Sequence, residues 1–321
     1  MVENDGTAIR PFDGSLADAE GLLAVEKATF GESPYSAEQV CDMLVKGPQR
    51  AWLAVGDGSI VGFVIAFATT GLHGTCWEID FLAVLSAWRG RRLATRLIRA
   101  AASQGATFAR WARGVVATDN PASERAFARA GFRRAEQCVL LICRPQEQPP
   151  PPWSAPGLTV REAAGVGEVA EWLGGEGVPD GSGARQGAQE FTLLLAEQDG
   201  QTAGYAELIE VQTLLYRGLW IESMAASTQI ARAALIHSVL SQAAAAGLDE
   251  VGAMVPEGDR PWQKALLDAG FRSLGDFHWF RADLPLPEMA TPPSSLHVAG
   301  NAKDLPPQAT VGSLGVTGHT A

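Results

Sequence analysis

The sequence predicts an α+β fold built twice in tandem, and three observations carry this. Strand-like and helix-like segments follow one another as β-α-α-β-β-β-α-β-α-β over residues 7–143. Short motifs then recur: Ala8-Ile-Arg10 with Thr159-Val-Arg161, Gly58-Ser-Ile-Val-Gly-Phe63 with Gly200-Gln-Thr-Ala-Gly-Tyr205, and Ala130-Gly-Phe-Arg133 with Ala269-Gly-Phe-Arg272. The offset falls from 151 to 142 to 139, the drift that loop shortening in a second copy produces. Between the copies lies a segment with four consecutive prolines, Pro149 to Pro152, which no helix or central strand accepts. The expected division is a first domain over 1–144, a Pro-rich linker over 145–157 and a second domain over 158–285. Residues 286–321, rich in Pro, Gly, Thr and Ser, are expected to form a disordered tail.

Each element of the first copy has a local reason. Residues 7–11 read as a short strand. Residues 15–28 read as a helix, with Leu16, Ala19, Leu22, Leu23 and Glu26 along one mostly apolar stripe. Ser36-Ala-Glu-Gln39 is a capping-box pattern that opens a second helix running to about residue 45. Residues 51–55 and 60–69 form a hairpin about Gly56-Asp57-Gly58, and residues 76–84 form the next strand. Leu93, Leu97, Ile98 and Ala101 mark a helix face. A strand within 107–117, a helix over 122–129 and a strand over 134–143 complete the copy.

Composition narrows the function classes. With 46% hydrophobic residues the chain can build real cores, and no apolar run approaches the roughly 20 residues that span a bilayer. The first residues carry no basic block followed by an apolar one, so a cytoplasmic location and no membrane partner are expected. Cys41, Cys76, Cys138 and Cys143 lack metal-ligand spacing and read as small buried hydrophobes, so no metal is expected. Residues 1–144 hold 16 Lys/Arg and 15 Asp/Glu; residues 145–321 hold 9 and 21. The arginines cluster at one helix start without interleaved aromatics, which argues against a nucleic-acid partner. The acidic second half suits a cationic amine substrate or serves solubility.

The most informative stretch runs from Trp77 to Phe132. The strand Glu78-Ile-Asp-Phe-Leu-Ala-Val84 leads through Arg89-Gly-Arg-Arg-Leu-Ala94 into an apolar helix. A strand that passes through an Arg/Gly loop into a helix offers backbone N–H groups to an anion. Asn120-Pro-Ala-Ser-Glu-Arg-Ala-Phe127 and Ala130-Gly-Phe132 follow. This order resembles the acetyl-CoA-binding core of the GNAT superfamily of N-acetyltransferases, whose pyrophosphate loop reads R/Q-x-x-G-x-G/A. The resemblance implies two GNAT-like domains, each with a mixed, mostly antiparallel sheet flanked by helices, and acetyl-CoA as cosubstrate. It implies that Arg89, Gly90, Arg91, Arg92, Leu93, Ala94 and Thr95 hold the pyrophosphate. Arg92 replaces the family's central Gly and is expected to keep a helical φ. Leu82, Ala83 and Val84 are implied as main-chain contacts to the cofactor. Glu78 matches by position the general-base glutamate of the histone acetyltransferases of the superfamily. Asp80, two residues on, is expected on the same face and is the second candidate, and Leu82 and Val84 are expected to continue that face. Asn120 is implied to touch the pantetheine arm or to cap its helix. Phe127 stands where the family commonly has Tyr beside the coenzyme sulfur, and it has no proton to give; Tyr35 is a substitute.

The second copy departs from this pattern. At an offset of 142, Glu78 becomes Trp220 and Asp80 becomes Glu222, and the loop becomes residues 227–233 with a single Arg and no Gly. Phe127 becomes Leu266. The copy is expected to have lost cofactor binding and to close the first domain's substrate cleft or form a homodimer. Phe30-Gly-Glu-Ser-Pro-Tyr-Ser36 resembles the substrate loop of ribosomal-protein N-terminal acetyltransferases, which leaves a protein N-terminus beside a small-molecule amine as acceptor. The resulting expectation is an acetyl-CoA-dependent N-acetyltransferase acting on a primary amine. The alternatives are an acyltransferase that uses another acyl-CoA and a non-catalytic acyl-CoA-binding or scaffold protein.

Overall fold

The computed structural model describes residues 6–31, 33–147, 155–170, 172, 191–214 and 217–287. The four prolines and the tail beyond residue 287 lie outside the described residues. In the first half, β1 (Thr7–Pro11) is followed by α1 (Leu16–Phe30) and α2 (Ala37–Lys46). Then come β2 (Arg50–Gly56), β3 (Ser59–Gly71), β4 (Gly74–Val84), α3 (Leu93–Gly105), β5 (Trp111–Ala117), α4 (Pro121–Ala130) and β6 (Arg133–Cys143). The second half repeats most of this: β7 (Leu158–Glu162), β8 (Phe191–Gln198), β9 (Gln201–Gln212), β10 (Arg217–Ala226), α5 (Gln229–Ala245), β11 (Glu250–Pro256), α6 (Arg260–Asp268) and β12 (Arg272–Asp283).

Local chemistry sets the boundaries. The Ser15 side chain accepts from the Asp18 N–H to start α1, and the Ser36–Gln39 capping box starts α2 as the spacing predicts. Asp57-Gly58 and Asp199-Gly200, 142 residues apart, all take positive φ and turn the β2–β3 and β8–β9 hairpins. Gly62 and Gly204 share the same offset. A Cβ on either would sit 2.8 or 2.5 Å from the carbonyl oxygen of Ala83 or Ala225. The repeat therefore extends to close backbone approaches that only glycine permits.

The two expected sheets are one. The twelve strands of the described residues join in the order β1-β2-β3-β4-β5-β12-β6-β11-β10-β9-β8-β7. Among them only β4–β5 and β10–β11 pair in parallel. The centre of the sheet is an exchange. β12 lies between β5 and β6, and β6 lies between β12 and β11, so each half's last strand completes the other half. The hairpins reciprocate. Leu72, at the β3–β4 turn, is buried with Leu193, Leu195 and Tyr205 of the second half. Leu214, at the equivalent turn 142 residues on, is buried with Leu22, Phe63 and Phe81 of the first. Buried Glu207 ties one of these turns in place: it accepts from the Leu72 N–H at 2.6 Å and from Ser223 Oγ at 2.6 Å.

Both central hairpins carry a bulge at one position. The β3–β4 register shifts where Ile65 faces Phe81 and Ala66 faces Ile79, which leaves Asp80 as the extra residue. The β9–β10 register shifts between Ile221 and Ser223, which leaves Glu222. A bulge reverses the two-residue alternation beyond it. Trp77 and Ile79 pack with the α3 cluster, as do Leu82 and Val84, while Phe81 and Ala83 pack with α1. The expectation that Leu82 and Val84 continue the face of Glu78 is thus corrected, because the bulge sends them to the opposite side.

Candidate active site

The first half of the site is an open strand pair that ends at a helix start. β4 pairs with β5 only from Cys76 to Ile79, and beyond Ile79 β4 is held by β3 while β5 is held by β12. The separation opens towards the loop of residues 85–92, which contains a single 3-10 turn at Ser86–Trp88. α3 then begins with Arg92 as its N-cap, and no side chain caps it. By contrast, α1, α2, α4, α5 and α6 are capped by Ser15, Ser36, Asn120, Thr228 and Asp259. The start of α3 therefore presents backbone amides and the positive end of the helix dipole without a built-in acceptor.

Arg92 is left-handed, with φ 58° and ψ 18°. The helical φ expected for it is corrected: this is the position where glycine costs least, and Arg adds about 1–2 kcal/mol of strain. Gly90 also has positive φ, at 82°. Arg91 stacks over Trp88 at 4.5 Å, and Arg89 Nε donates to the Val84 carbonyl at 3.2 Å. Thr95 is buried and donates to the Ala126 carbonyl, which joins α3 to α4. Asn120 caps α4 by accepting from the Ser123 N–H at 3.1 Å.

Phe127 is 4% exposed. Its ring packs against Phe132 and Phe280, and a Cβ on Gly114 would run into it. The structure makes it a core residue under β5, outside the walls of the cavity described next.

A cavity of about 970 Å³ lies where the two halves face each other. Glu26 and Tyr35 enter it from α1 and the loop before α2, and Glu78, Asp80 and Arg113 from β4 and β5. Trp220, Glu222 and Glu250 enter from the second half, and Trp279 from the exchanged strand β12. Acidic groups outnumber basic ones among these walls.

The two sequence candidates differ sharply in environment. Glu78 is a clamped carboxylate: Arg113 Nε donates to both its oxygens at 2.8 Å, and Thr69 Oγ1 donates to Oε1 at 2.8 Å. Arg113 also donates through Nη1 and Nη2 to the two oxygens of Glu222, at 2.5 and 2.7 Å. It is 6% exposed and stacks over Trp279 at 4.5 Å. Burial works against the guanidinium's charge, but the two carboxylates outweigh it and hold Arg113 well above its ordinary pKa.

Asp80 Oδ2, in contrast, is enclosed and has no hydrogen-bond partner. Burial, reinforced by the charge of Glu78, pushes its carboxyl up to about 7. Glu26 is 4% exposed, its Oε2 is also without a hydrogen-bond partner, and burial raises its pKa.

Glu78 and Asp80, singled out in the sequence, both line the cavity, beside Arg113, Glu222 and Trp279, which were not singled out as site residues. The 142-residue offset already aligned Glu222 with Asp80. Nothing local to residues 111–115 or 277–281 showed that these strands would meet, because paired residues such as Val115 and Trp279 are 164 positions apart in sequence and neighbours only through the exchange.

The second half keeps the open strand pair and loses the cradle. β10 pairs with β11 only from Gly218 to Ile221. Only residues 227 and 228 separate β10 from α5, against residues 85–92 in the first half. The expected loop over 227–233 is corrected, since Gln229 onwards is helix. The Thr228 side chain occupies the Ala231 N–H at 3.1 Å.

Comparison with known proteins agrees with this geometry. Residues 20–132 match the profile described as the acetyltransferase (GNAT) family. The first half is therefore similar to the acetyltransferase domains of the GNAT family. A mycothiol acetyltransferase of Nocardia farcinica (strain IFM 10152) is 35% identical over 167 residues, which cover 50% of this chain and 52% of that protein. The match thus spans about half the length of that curated relative. The fold of the whole chain is shared with a GCN5-related N-acetyltransferase from Sphaerobacter thermophilus. That likeness has a TM-score of 0.54 at 20% identity and covers 89% of this chain and 98% of that one. A tandem GNAT protein from the clavulanic acid biosynthesis pathway also superposes with a TM-score of 0.54, at 14% identity, over 86% of this chain and 98% of its own. The likeness is one of fold and extends over both halves. Among the described residues, no helix is long and apolar enough to cross a membrane.

Proposed function

We propose that this protein is an acetyl-CoA-dependent N-acetyltransferase whose acceptor is the primary amine of a small molecule. The observation that carries the reading is Asp80. Its bulged carboxyl has one oxygen without a hydrogen-bond partner, lines an acidic cavity and adjoins the open end of the β4–β5 pair. A carboxyl that titrates near 7 is matched to removing a proton from an ammonium at neutral pH, directly or through one water.

The cofactor fits the residues present. The uncapped start of α3 and the left-handed Arg92 supply N–H groups for a pyrophosphate, with Arg89, Gly90, Arg91, Leu93, Ala94 and Thr95 in the same turn. Leu82, Ala83 and Val84 form the β4 wall of the opening, and Asn120 marks its α4 side. Acetyl-CoA supplies an activated acetyl thioester when bound. The chain's own residues orient the amine against it, exclude water and take the amine's proton at Asp80. No role in leaving-group protonation is assigned to Phe127.

A cavity lined by residues of both halves suits a small molecule better than a protein N-terminus. The relative named a mycothiol acetyltransferase supports an amine-bearing small metabolite, and a cytoplasmic site of action goes with this reading. The division into a catalytic domain over 1–144, a linker over 145–157 and a cofactor-free domain over 158–285 belongs to the same proposal. Incubating the protein with acetyl-CoA and a panel of small amines, with detection of the released thiol, tests it. Amine-dependent thiol release is expected. Stoichiometric coenzyme binding without release for any amine would leave an acyl-CoA-binding protein instead.

A further inference from the structure

The pseudo-symmetry puts one acid at each bulge, Asp80 in the first half and Glu222 in the second. They meet opposite fates. Glu222 is gripped by both terminal nitrogens of Arg113, an arginine of the first half, and the third nitrogen of that guanidinium grips Glu78. One buried cation thus spans two carboxylates from different halves, over the face of Trp279 from the exchanged strand. We propose that Glu78 is a fixed charge rather than the base, and that the second half takes part in catalysis through Glu222, which anchors the Arg113–Glu78 pair beside Asp80. Glu78, Arg113 and Glu222 are positioning residues in this arrangement, and the inference rests on Asp80 being the base in the function proposed above.

Both oxygens of Glu78 are engaged, by the Arg113 guanidinium and the Thr69 hydroxyl, so its carboxylate is held in place and turned away from a substrate amine. Asp80 has no such partner, so its affinity for a proton depends on the charges around it. From its own strand it faces Glu78; from β5, Arg113; from β10, Glu222. On the α1 side stand Glu26 and Tyr35, and at the start of β11 Asp249 and Glu250, with Arg144 and Glu147 following β6. Burial raises the pKa of Glu26, Tyr35 and Glu250, which keeps them protonated further up the pH scale. Glu78, Arg113 and Glu222, joined in one ion-pair cluster on the same cavity wall, carry formal charges that sum to −1. Neutralising Glu222 lets the full charge of Arg113 fall on Glu78 and cancels most of its field at Asp80.

The test is a direct titration of Asp80 by NMR with carbon-13 in the aspartate carboxyls, its signal assigned by its loss in Asp80→Asn. The wild-type midpoint is expected at about 7. Glu78→Gln should lower it by about one unit, a ten-fold drop in proton affinity, and Glu222→Gln by roughly half a unit. Glu222→Asp keeps the charge and should restore most of the wild-type midpoint, which a purely structural role for Glu222 would not produce. An unmoved midpoint in folded Glu222→Gln overturns the inference. This readout needs no turnover, so it stands apart from the amine assay: shifted midpoints with no amine acetylated would reject the proposed activity alone. Where turnover is found, Glu78→Gln should lose less than ten-fold at pH 9 with its acid limb moved to lower pH. A loss of 100-fold or more from pH 6 to 9 would return the role of base to Glu78.

Discussion

The two halves share strand order, hairpin turns, glycine contacts and a bulge on the strand before the long helix, yet the geometry of only one fits cofactor and substrate chemistry. The difference lies in two places. In the first half, residues 85–92 give the chain room to curl into a left-handed turn and leave α3 uncapped; in the second, two residues lead directly to a helix capped by Thr228. At the bulges, Asp80 keeps an oxygen without a hydrogen-bond partner, while Arg113 occupies Glu222 fully. The two copies of the fold thus differ by a shorter loop and one ion pair, while their strand order is kept. The second half still matters to the first, since it supplies a cavity wall and the strand that sits beside β5.

The sharpest way to break this contrast is at the bulge acids. Asp80→Asn is expected to lower kcat by about 10²–10⁴ with coenzyme affinity unchanged. A mutant at the wild-type rate, with thiol release followed across pH 6–9, would remove Asp80 from the chemistry. The same variant tests the cost of holding a buried carboxylate. The native pKa of Asp80 lies above its unfolded value, so the folded state binds the extra proton and stability falls as pH rises from about 4 to about 7. Asp80→Asn should therefore melt higher than wild type at pH 8, with the gap closing below pH 4 as both forms become neutral. Equal melting temperatures at pH 8 would contradict the raised pKa.

Packing should be more even between the halves than chemistry. Leu72→Ala and Leu214→Ala, at equivalent turns buried in opposite cores, should each cost about 2–5 kcal/mol in urea unfolding. A near-zero cost for one of them would show that the hairpin exchange matters on one side only. Coenzyme A should bind once per chain by calorimetry, and Arg89→Ala should weaken it by about 1–3 kcal/mol if a charge-assisted phosphate bond is lost. Two comparable sites would overturn the loss of the second cradle. The smallest effect is expected at Arg92→Gly, which relieves the left-handed strain and should stabilise by about 1 kcal/mol, read as a rise in melting temperature.

Much of this was legible in the chain. The capping box at Ser36, the paired Asp-Gly turns, the strand that enters an Arg-rich loop and the three collinear repeats depend on residues within a few positions of each other. Local dihedral preference and periodicity act over that range, so they fix elements, their order and the place of the Arg/Gly turn before α3. The bulge at Asp80 was not legible, because a single extra residue leaves the pattern of apolar residues almost unchanged while reversing the faces beyond it. Nor was the state of Glu78, whose carboxylate chemistry is set by Arg113, 35 residues away, and by Glu222 in the other half. Strand exchange is the deeper reason. Either half's last strand carries much the same alternation of side chains, so the sequence alone does not say which sheet it completes. Only the assembled sheet, where β12 and β6 cross between the halves, brings Trp279, Arg113 and Glu222 together and decides which acid is ion-paired and which keeps an oxygen without a hydrogen-bond partner.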